Sequence, residues 1–370
     1  MRKYAIIIFF GSLFLLAFGS YLVMSASSSY SQFRYEDQFF LFNGHILKAL
    51  LSVVGLVVFS MIPYKLYKPY SKTFLVVAVV ALFYALLFAP EYNGATRWID
   101  LGFISFQPAE IARLALFIHL AALIEDKGKE LHDFQGGFLY ILFWVFLVAG
   151  LVALEPNVSN AAMILAISML LLFVAGARLP HLGVSFGGSL GFVTMVAMMF
   201  SHARSRVSSF VGSVNGEGEM NMQVKQAVIG LGAGGLTGVG FGHSAQRNLF
   251  LPEAYSDFIF AILGEETGFL GAGFTLSLYV LMCVVGALIA KNTKDRFGQL
   301  LAFAVSLSLG WYALVNASVA SGILPTTGLP LPLISHGGTS MFVVAVSMGI
   351  LINIALTNET KTKTSEKVES

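Results

Sequence analysis

The sequence predicts an all-α polytopic membrane protein with ten transmembrane helices, both termini in the cytoplasm and a large external loop between helices 7 and 8. Three observations carry that expectation. Of the 370 residues, 56% are hydrophobic and 11% charged, with mean hydropathy +0.79, too little polar surface to cover a soluble domain. Apolar runs near the ~20 residues needed to cross ~30 Å of hydrocarbon recur from end to end. With the N-terminus inside, 14 of the 22 Lys and Arg fall on cytoplasmic segments, as the positive-inside rule requires.

The expected spans are 4–24, 45–62, 74–90, 109–124, 136–154, 158–175, 181–200, 257–290, 299–320 and 339–357. Ser25-Ala26-Ser27 after the first run resembles a signal-peptidase site. Its apolar core exceeds the roughly 7 to 15 residues of a secretory signal, so it is read as an uncleaved span. The eighth run is overlong and must tilt or extend beyond the hydrocarbon. No repeat interrupts the chain, so residues 1–357 read as a single membrane domain and the polar stretch 358–370 as a disordered cytoplasmic tail. Cys283 is the sole cysteine, which excludes an intrachain disulfide. A net charge of +2 gives no sign of a nucleic-acid partner.

Three connections break the pattern, 91–108, 201–256 and 321–338, and the topology puts all three outside. The longest holds Arg204, Arg206, Lys225, Arg247, Glu217, Glu219 and Glu253, and loops of this length are functional or disordered. Residues 222–230 are apolar enough to dock as a short helix. The glycines from 230 to 242 then permit close approach to a ligand or, equally, to a neighbouring helix. In 324–341, three prolines and several glycines forbid a regular helix at the membrane edge, where irregular backbone must be buried in protein or line a wet cavity.

An ionised side chain at bilayer depth costs at least about 2.5 kcal/mol, so acids beside apolar runs mark function by default. Asp257 stands where the loop meets the eighth span. It can cap that helix, or act as a general base if desolvation raises its pKa. At helical spacing it shares a side with Ala261, Gly264 and, less closely, Glu265, a small-residue notch able to admit a lipid headgroup. Glu265 and Glu266 lie too deep to share its proton and read as partners of basic groups or as hydrogen-bond acceptors. Glu253 is nearer and could assist it. Arg97 beside Trp98 suits headgroup depth, and Glu110 and Arg113, three apart on one helix, form a structural charge pair. The seven histidines are scattered without metal-ligand spacing. A Mg²⁺ or Mn²⁺ on Asp257 completed by substrate phosphate remains open.

GATRWIDLGFISFQPAE, RVSSF, the Gln223 and Gln226 pair, the glycine run, LPEAYSDFIFAILGEETG and LPTTGLPLPLISHGGTS, in this order, resemble the SEDS family, the FtsW, RodA and SpoVE group, over about residues 10–356. The resemblance implies a peptidoglycan glycosyltransferase that polymerises lipid II outside the bacterial cytoplasmic membrane, beside a class B penicillin-binding protein and other division or elongation proteins. The family's essential acid falls on Asp257, which would deprotonate the acceptor's 4-hydroxyl for attack on the donor's anomeric carbon, with inversion and loss of polyprenyl pyrophosphate. Arg97, Arg206, Lys225 and Arg247 are candidates to stabilise that leaving group. Gln226, Glu253, Ser335 and His336 join them as substrate-binding candidates.

The chain departs from the family at Ala109 for serine, at Arg113 for lysine and at His336 for tyrosine. In LEPNVSNAA (154–162), Asn157 stands where many members carry an acid. The wording around Asp257 leans to the division branch, FtsW-like, over the RodA-like elongation branch. A lipid II flippase and a non-catalytic scaffold for the transpeptidase are the competing function classes. The gathering of unusual loops on one side favours surface catalysis over transport, which needs access from both faces.

Overall fold

The computed structural model describes residues 1–90, 97–100, 102, 105–128 and 130–368, with side chains through Asn358. Its helices are α1 (Arg2–Tyr35), α2 (Phe40–Met61), α3 (Tyr67–Phe88), α4 (Pro108–Lys127), α5 (Leu139–Leu154), α6 (Val158–Val174), α7 (Leu179–Met199), α8 (Ser201–Asn215), α9 (Met222–Gly234), α10 (Ile259–Asn292), α11 (Arg296–Ala320) and α12 (Gly338–Val368). A two-residue antiparallel pair, β1 (Ile99–Asp100) with β2 (Ser105–Phe106), precedes α4.

Every expected span lies on a helix, and eight helical stretches among the described residues are long and apolar enough to cross a bilayer. The two others fall short for plain reasons. α6 has 17 residues, and α4 carries Glu110, Arg113, Glu125, Asp126 and Lys127. α12 is the most enclosed of the spans and packs on α1, α2 and α11, while α7 is the least enclosed. The polar tail expected to be disordered is drawn as a continuation of α12 to Val368, consistent with the absence of Pro and Gly there; the side chains beyond Asn358 lie outside the described residues. The expected loop 91–108 is described only from Arg97, in part.

Segments assigned to one side touch one another. On the side assigned to the cytoplasm, Lys68 pairs with Glu125 at 2.6 Å and Asp126 at 2.7 Å, and the Phe297 amide donates to Glu125 at 3.2 Å. On the opposite side, Gln107 donates to the Thr339 hydroxyl at 3.0 Å. The long 201–256 segment is more regular than expected. α9 covers the short helix read at 222–230, and α8 is a helix that the sequence reading left as loop. α8 carries Val207, Phe210, Val211 and Val214 at i, i+3, i+4 and i+7, a helical stripe that the sequence reading passed over, although no residue of the helix is buried.

The overlong eighth span is resolved by a break rather than by tilt alone. Gly268 takes φ +69° and ψ −171° inside α10, a conformation nearly reserved for glycine. A Cβ there would lie 2.4 Å from the Gly238 nitrogen. The groups freed by the break are taken up by the glycine run. Val239 donates to Glu265 O at 3.0 Å, Gly240 to Glu266 O at 3.1 Å, and Phe269 to Gly235 O at 2.9 Å. In lipid such pairing is obligatory, since each unmet backbone group costs several kcal/mol.

Candidate active site

Asp257 sits two residues before α10, in a turn where Ser256 and Phe258 donate to Glu253 O at 3.1 and 3.3 Å. It is therefore not a helix cap, and no side chain caps α10. Three consecutive carbonyls fix the segment. Tyr255 O accepts from the His336 amide at 3.0 Å, Ser256 O from the Ser335 hydroxyl at 2.6 Å, and Asp257 O from Asn316 Nδ2 at 2.8 Å. Asn316 also donates to Leu329 O at 2.8 Å, and Ser335 Oγ accepts from the Leu331 amide at 2.8 Å. The Pro-rich 321–337 segment and α11 thus position the acid through its backbone, and among the described residues the carboxylate's hydrogen-bond partner is the Ser256 hydroxyl at 3.1 Å.

The notch expected beneath Asp257 is filled. A Cβ on Gly264 would meet Leu231 Cδ2 at 2.3 Å, and one on Gly234 would meet Gly264 O at 2.1 Å, so these small residues serve the close approach of α9 to α10. The acid instead adjoins Gly328 and Arg206: a Cβ on Gly328 would lie 3.4 Å from Asp257 Oδ2 and 3.8 Å from Arg206 Nη1. Arg206 also lines a small open cleft with Phe210, Ser213, Asn221, Pro325 and Thr326.

Asp257 keeps partial access to solvent although protein atoms crowd it on all sides. Burial pushes its carboxyl above the usual range, opposed by the Ser256 hydroxyl and the charges of Arg206 and Arg97. Glu253 is also pushed upward, by burial and then by Asp257. Arg97 is half-buried; its Nε donates to Glu155 O at 2.9 Å and its Nη2 to Pro156 O, which staples it to the α5–α6 corner. Its pKa is lowered by burial and by Arg206, with Glu155 and Asp257 opposing.

Sequence reasoning missed Glu155. Its side chain is fully buried, neither carboxylate oxygen has a partner among the described residues, and burial pushes its pKa to about 8 against the pull of Arg97. The signal was an acid between an apolar run and Pro156, in the very segment where attention went to Asn157.

Other candidates lie elsewhere. Arg247 is half-buried beside Glu266, its Nη1 3.4 Å from the Ser25 hydroxyl. Lys225 is exposed and its side chain makes no hydrogen bond or ion pair among the described residues, and the Gln226 side chain reaches only Met222 Sδ at 3.9 Å. Glu265 accepts from the Ser244 hydroxyl and from the Ala245 and Gln246 amides at 2.9 and 3.3 Å. Glu266 accepts from the Ser25 hydroxyl at 2.5 Å and the Gly242 amide at 3.0 Å. Of the two roles open to them, both act as acceptors holding the glycine-rich loop. Glu110 and Arg113 pair at 2.8 Å in the interior, joined by Asn160 on Glu110 at 3.1 Å, and the Tyr312 ring lies 4.3 Å under the guanidinium. Ser335 spends its hydroxyl on backbone, whereas His336 faces Lys48, 3.5 Å from Nε2.

The family model FTSW_RODA_SPOVE, described as cell cycle protein, matches residues 5–360. The probable peptidoglycan glycosyltransferase FtsW of Coxiella burnetii is 34% identical over 94% of this chain and 95% of its own. Stage V sporulation protein E of Bacillus subtilis is 30% identical over 93% and 94%. Among solved structures, a chain of a peptidoglycan synthase complex superposes with TM-score 0.75 over 94% of this chain and 98% of its own, at 23% identity. The rod shape determining protein RodA of Thermus thermophilus gives TM-score 0.68 over 94% and 96%, also at 23% identity. The chain belongs to the FtsW/RodA/SpoVE family of cell cycle proteins.

Proposed function

We propose that this protein is an inverting peptidoglycan glycosyltransferase that polymerises lipid II at the outer face of the bacterial cytoplasmic membrane, crossing it ten times with both termini inside. The observation that carries the proposal is the meeting of one base-competent acid, Asp257, with the guanidinium groups of Arg97 and Arg206. Asp257 takes the proton of the acceptor 4-hydroxyl as its oxygen bonds to the donor anomeric carbon. The bond from that carbon to the phosphate oxygen breaks, and polyprenyl pyrophosphate leaves. A raised pKa brings the carboxylate's basicity closer to working pH, and the two arginines offset charge that grows on the departing diphosphate. Asp257 and Glu253, close enough for their charges to act on each other, would hold a Mg²⁺ or Mn²⁺ together with substrate phosphate oxygens; such an ion supplies further charge neutralisation. Arg247, Lys225 and Gln226 take a peripheral place in this scheme.

We further propose a septal role in division, the branch to which the FtsW name of the relatives points, with a class B penicillin-binding protein and other division proteins as partners, in line with the likeness to a chain of a peptidoglycan synthase complex. The decisive assay uses the purified full chain with its partner transpeptidase, labelled lipid II and divalent metal. Glycan strands are expected from the parent and none from Asp257→Asn or Asp257→Ala, with folding and partner binding unchanged. Polymer from either variant overturns the mechanism. Transbilayer movement of lipid II without polymer would point to a flippase instead.

A further inference from the structure

A second cluster of basic side chains lies beside the site and takes no part in the chemistry above. His45 on α2 is fully buried, and neither of its ring nitrogens has a partner among the described residues. Its ring stacks on His336 at 5.5 Å between centroids, and Lys48, one turn further along α2, brings Nζ to 3.5 Å from His336 Nε2. Nδ1 of His336 is also buried without a partner among the described residues. Lys48 is half-buried, and no carboxylate among the described residues lies within ion-pair distance of it. An ammonium on a membrane helix without a counter-anion is an unbalanced charge in a poorly solvated place.

The start of α12 completes the arrangement. Met341 makes the first bond inside that helix, to Gly337 O, so the N–H groups of residues 338–340 have no acceptor within it. Gly338 carries no side chain, and a Cβ there would stand 3.2 Å from Lys48 Cδ, which puts the lysine against this electropositive helix end. Burial, with Lys48 and His45 nearby, holds the His336 imidazole down at about 3, so at neutral pH its ring keeps a lone pair on one nitrogen and a donor on the other.

We propose that Lys48, His336 and the N-terminus of α12, backed by His45, form a phosphate-binding subsite for a lipid-linked diphosphate, distinct from the Arg97 and Arg206 pair. The inference rests on the proposed function. Two lipid-linked substrates meet at Asp257, and each carries a diphosphate that needs its own cations. His336 links the subsite to the acid directly, because its amide holds Tyr255 O two residues before Asp257. This cluster is contributed by α2 and α12, whereas the arginines come from the segment before α4 and from α8.

The test measures binding of farnesyl diphosphate and of inorganic pyrophosphate to the full chain in lipid nanodiscs, by calorimetry. Asp257→Asn serves as the background for binding, and lipid II polymerisation is assayed separately on the Asp257 chain. Lys48→Gln should weaken farnesyl diphosphate binding roughly tenfold, the value of one charge-assisted contact, and Lys48→Arg should restore it to within about twofold. His336→Gln should weaken it less. Tighter binding of the farnesyl compound than of pyrophosphate identifies a lipid-linked ligand, and equal binding identifies a free phosphate anion. Undiminished binding in Lys48→Gln, or no binding of either probe, overturns the subsite. Lys48-dependent binding in a chain that never polymerises lipid II would instead leave the subsite standing and remove the proposed function.

Discussion

Removing the Arg206 charge should move the pH at which the enzyme loses activity, and the structure sets the size of the move. Gly328 bridges the two groups closely enough that Asp257 Oδ2 and Arg206 Nη1 are at most about 7 Å apart. Arg206 is exposed, so an effective dielectric constant of about 40 to 80 applies, and the interaction is roughly 0.6 to 1.2 kcal/mol. Arg206 favours the carboxylate, the form that serves as base. Without it the Asp257 pKa, already raised by burial, rises further, and less of the acid is ionised at any pH below it. The acid limb of kcat/KM for Arg206→Gln should therefore sit about 0.4 to 0.9 pH unit higher than in the parent. The plateau should fall as well, because the same guanidinium faces the leaving group, so the limb position and not the rate at one pH is the diagnostic. A limb that stays in place, or moves to lower pH, refutes the electrostatic link between Arg206 and Asp257. Arg206→Lys, which keeps the charge, should hold the limb near its original position.

Glu155→Gln should flatten the pH dependence of thermal stability. A carboxyl pushed to about 8 in the fold and near 4.5 when unfolded makes the parent lose stability as pH rises between those values, so the variant should melt higher than the parent at pH 9 and close to it at pH 5. Gly268→Ala should destabilise by about 1 to 3 kcal/mol, read by thermal melting in detergent, since its Cβ strikes the Gly238 backbone at 2.4 Å in a left-handed conformation. Arg113→Met leaves the Glu110 carboxylate buried without its cation and should cost about 3 to 5 kcal/mol, while Glu110→Gln combined with Arg113→Met should recover much of that loss.

Much of the helical framework was legible because hydrophobic length is written residue by residue, and each expected span found its helix. Asp257 was legible as an acid at a loop-to-span boundary, and Arg97 and Arg206 as cations in segments assigned to its side. Three things were hidden, each for a physical reason. The break at Gly268 depends on the backbone of Leu236 and Gly238 lying against it, a tertiary contact that no local pattern encodes. The filled notch depends on Leu231 from α9. A helical wheel reports which residues share a face but not which neighbour covers it. Glu155 was passed over because its importance comes from Arg97 gripping its carbonyl, 58 positions away in sequence. Lys225 shows the converse: a cation in a suggestive loop, placed on the exposed face of α9.

A general base must be held in place without its carboxylate being consumed, and the chain separates these requirements between backbone and side chain. Had Asp257 capped α10, its oxygens would have been committed to amide donors, which favour the ionised form and lower basicity. Placing it two residues earlier removes that commitment, and the lost rigidity is restored by donors that grip the carbonyls of Tyr255, Ser256 and Asp257. Those donors come from α11 and the segment leading into α12, while the glycine loop is clamped to α10 from below by Glu265 and Glu266. The two deeper acids thus hold residues 242–246 against the upper half of α10, and Asn316 and Ser335 keep the turn above it in place. Asn316→Ala should therefore lower kcat more than it raises KM, since it loosens the acid's position without touching a cation. An equal loss in KM would show that Asn316 orders the substrate cleft rather than the base.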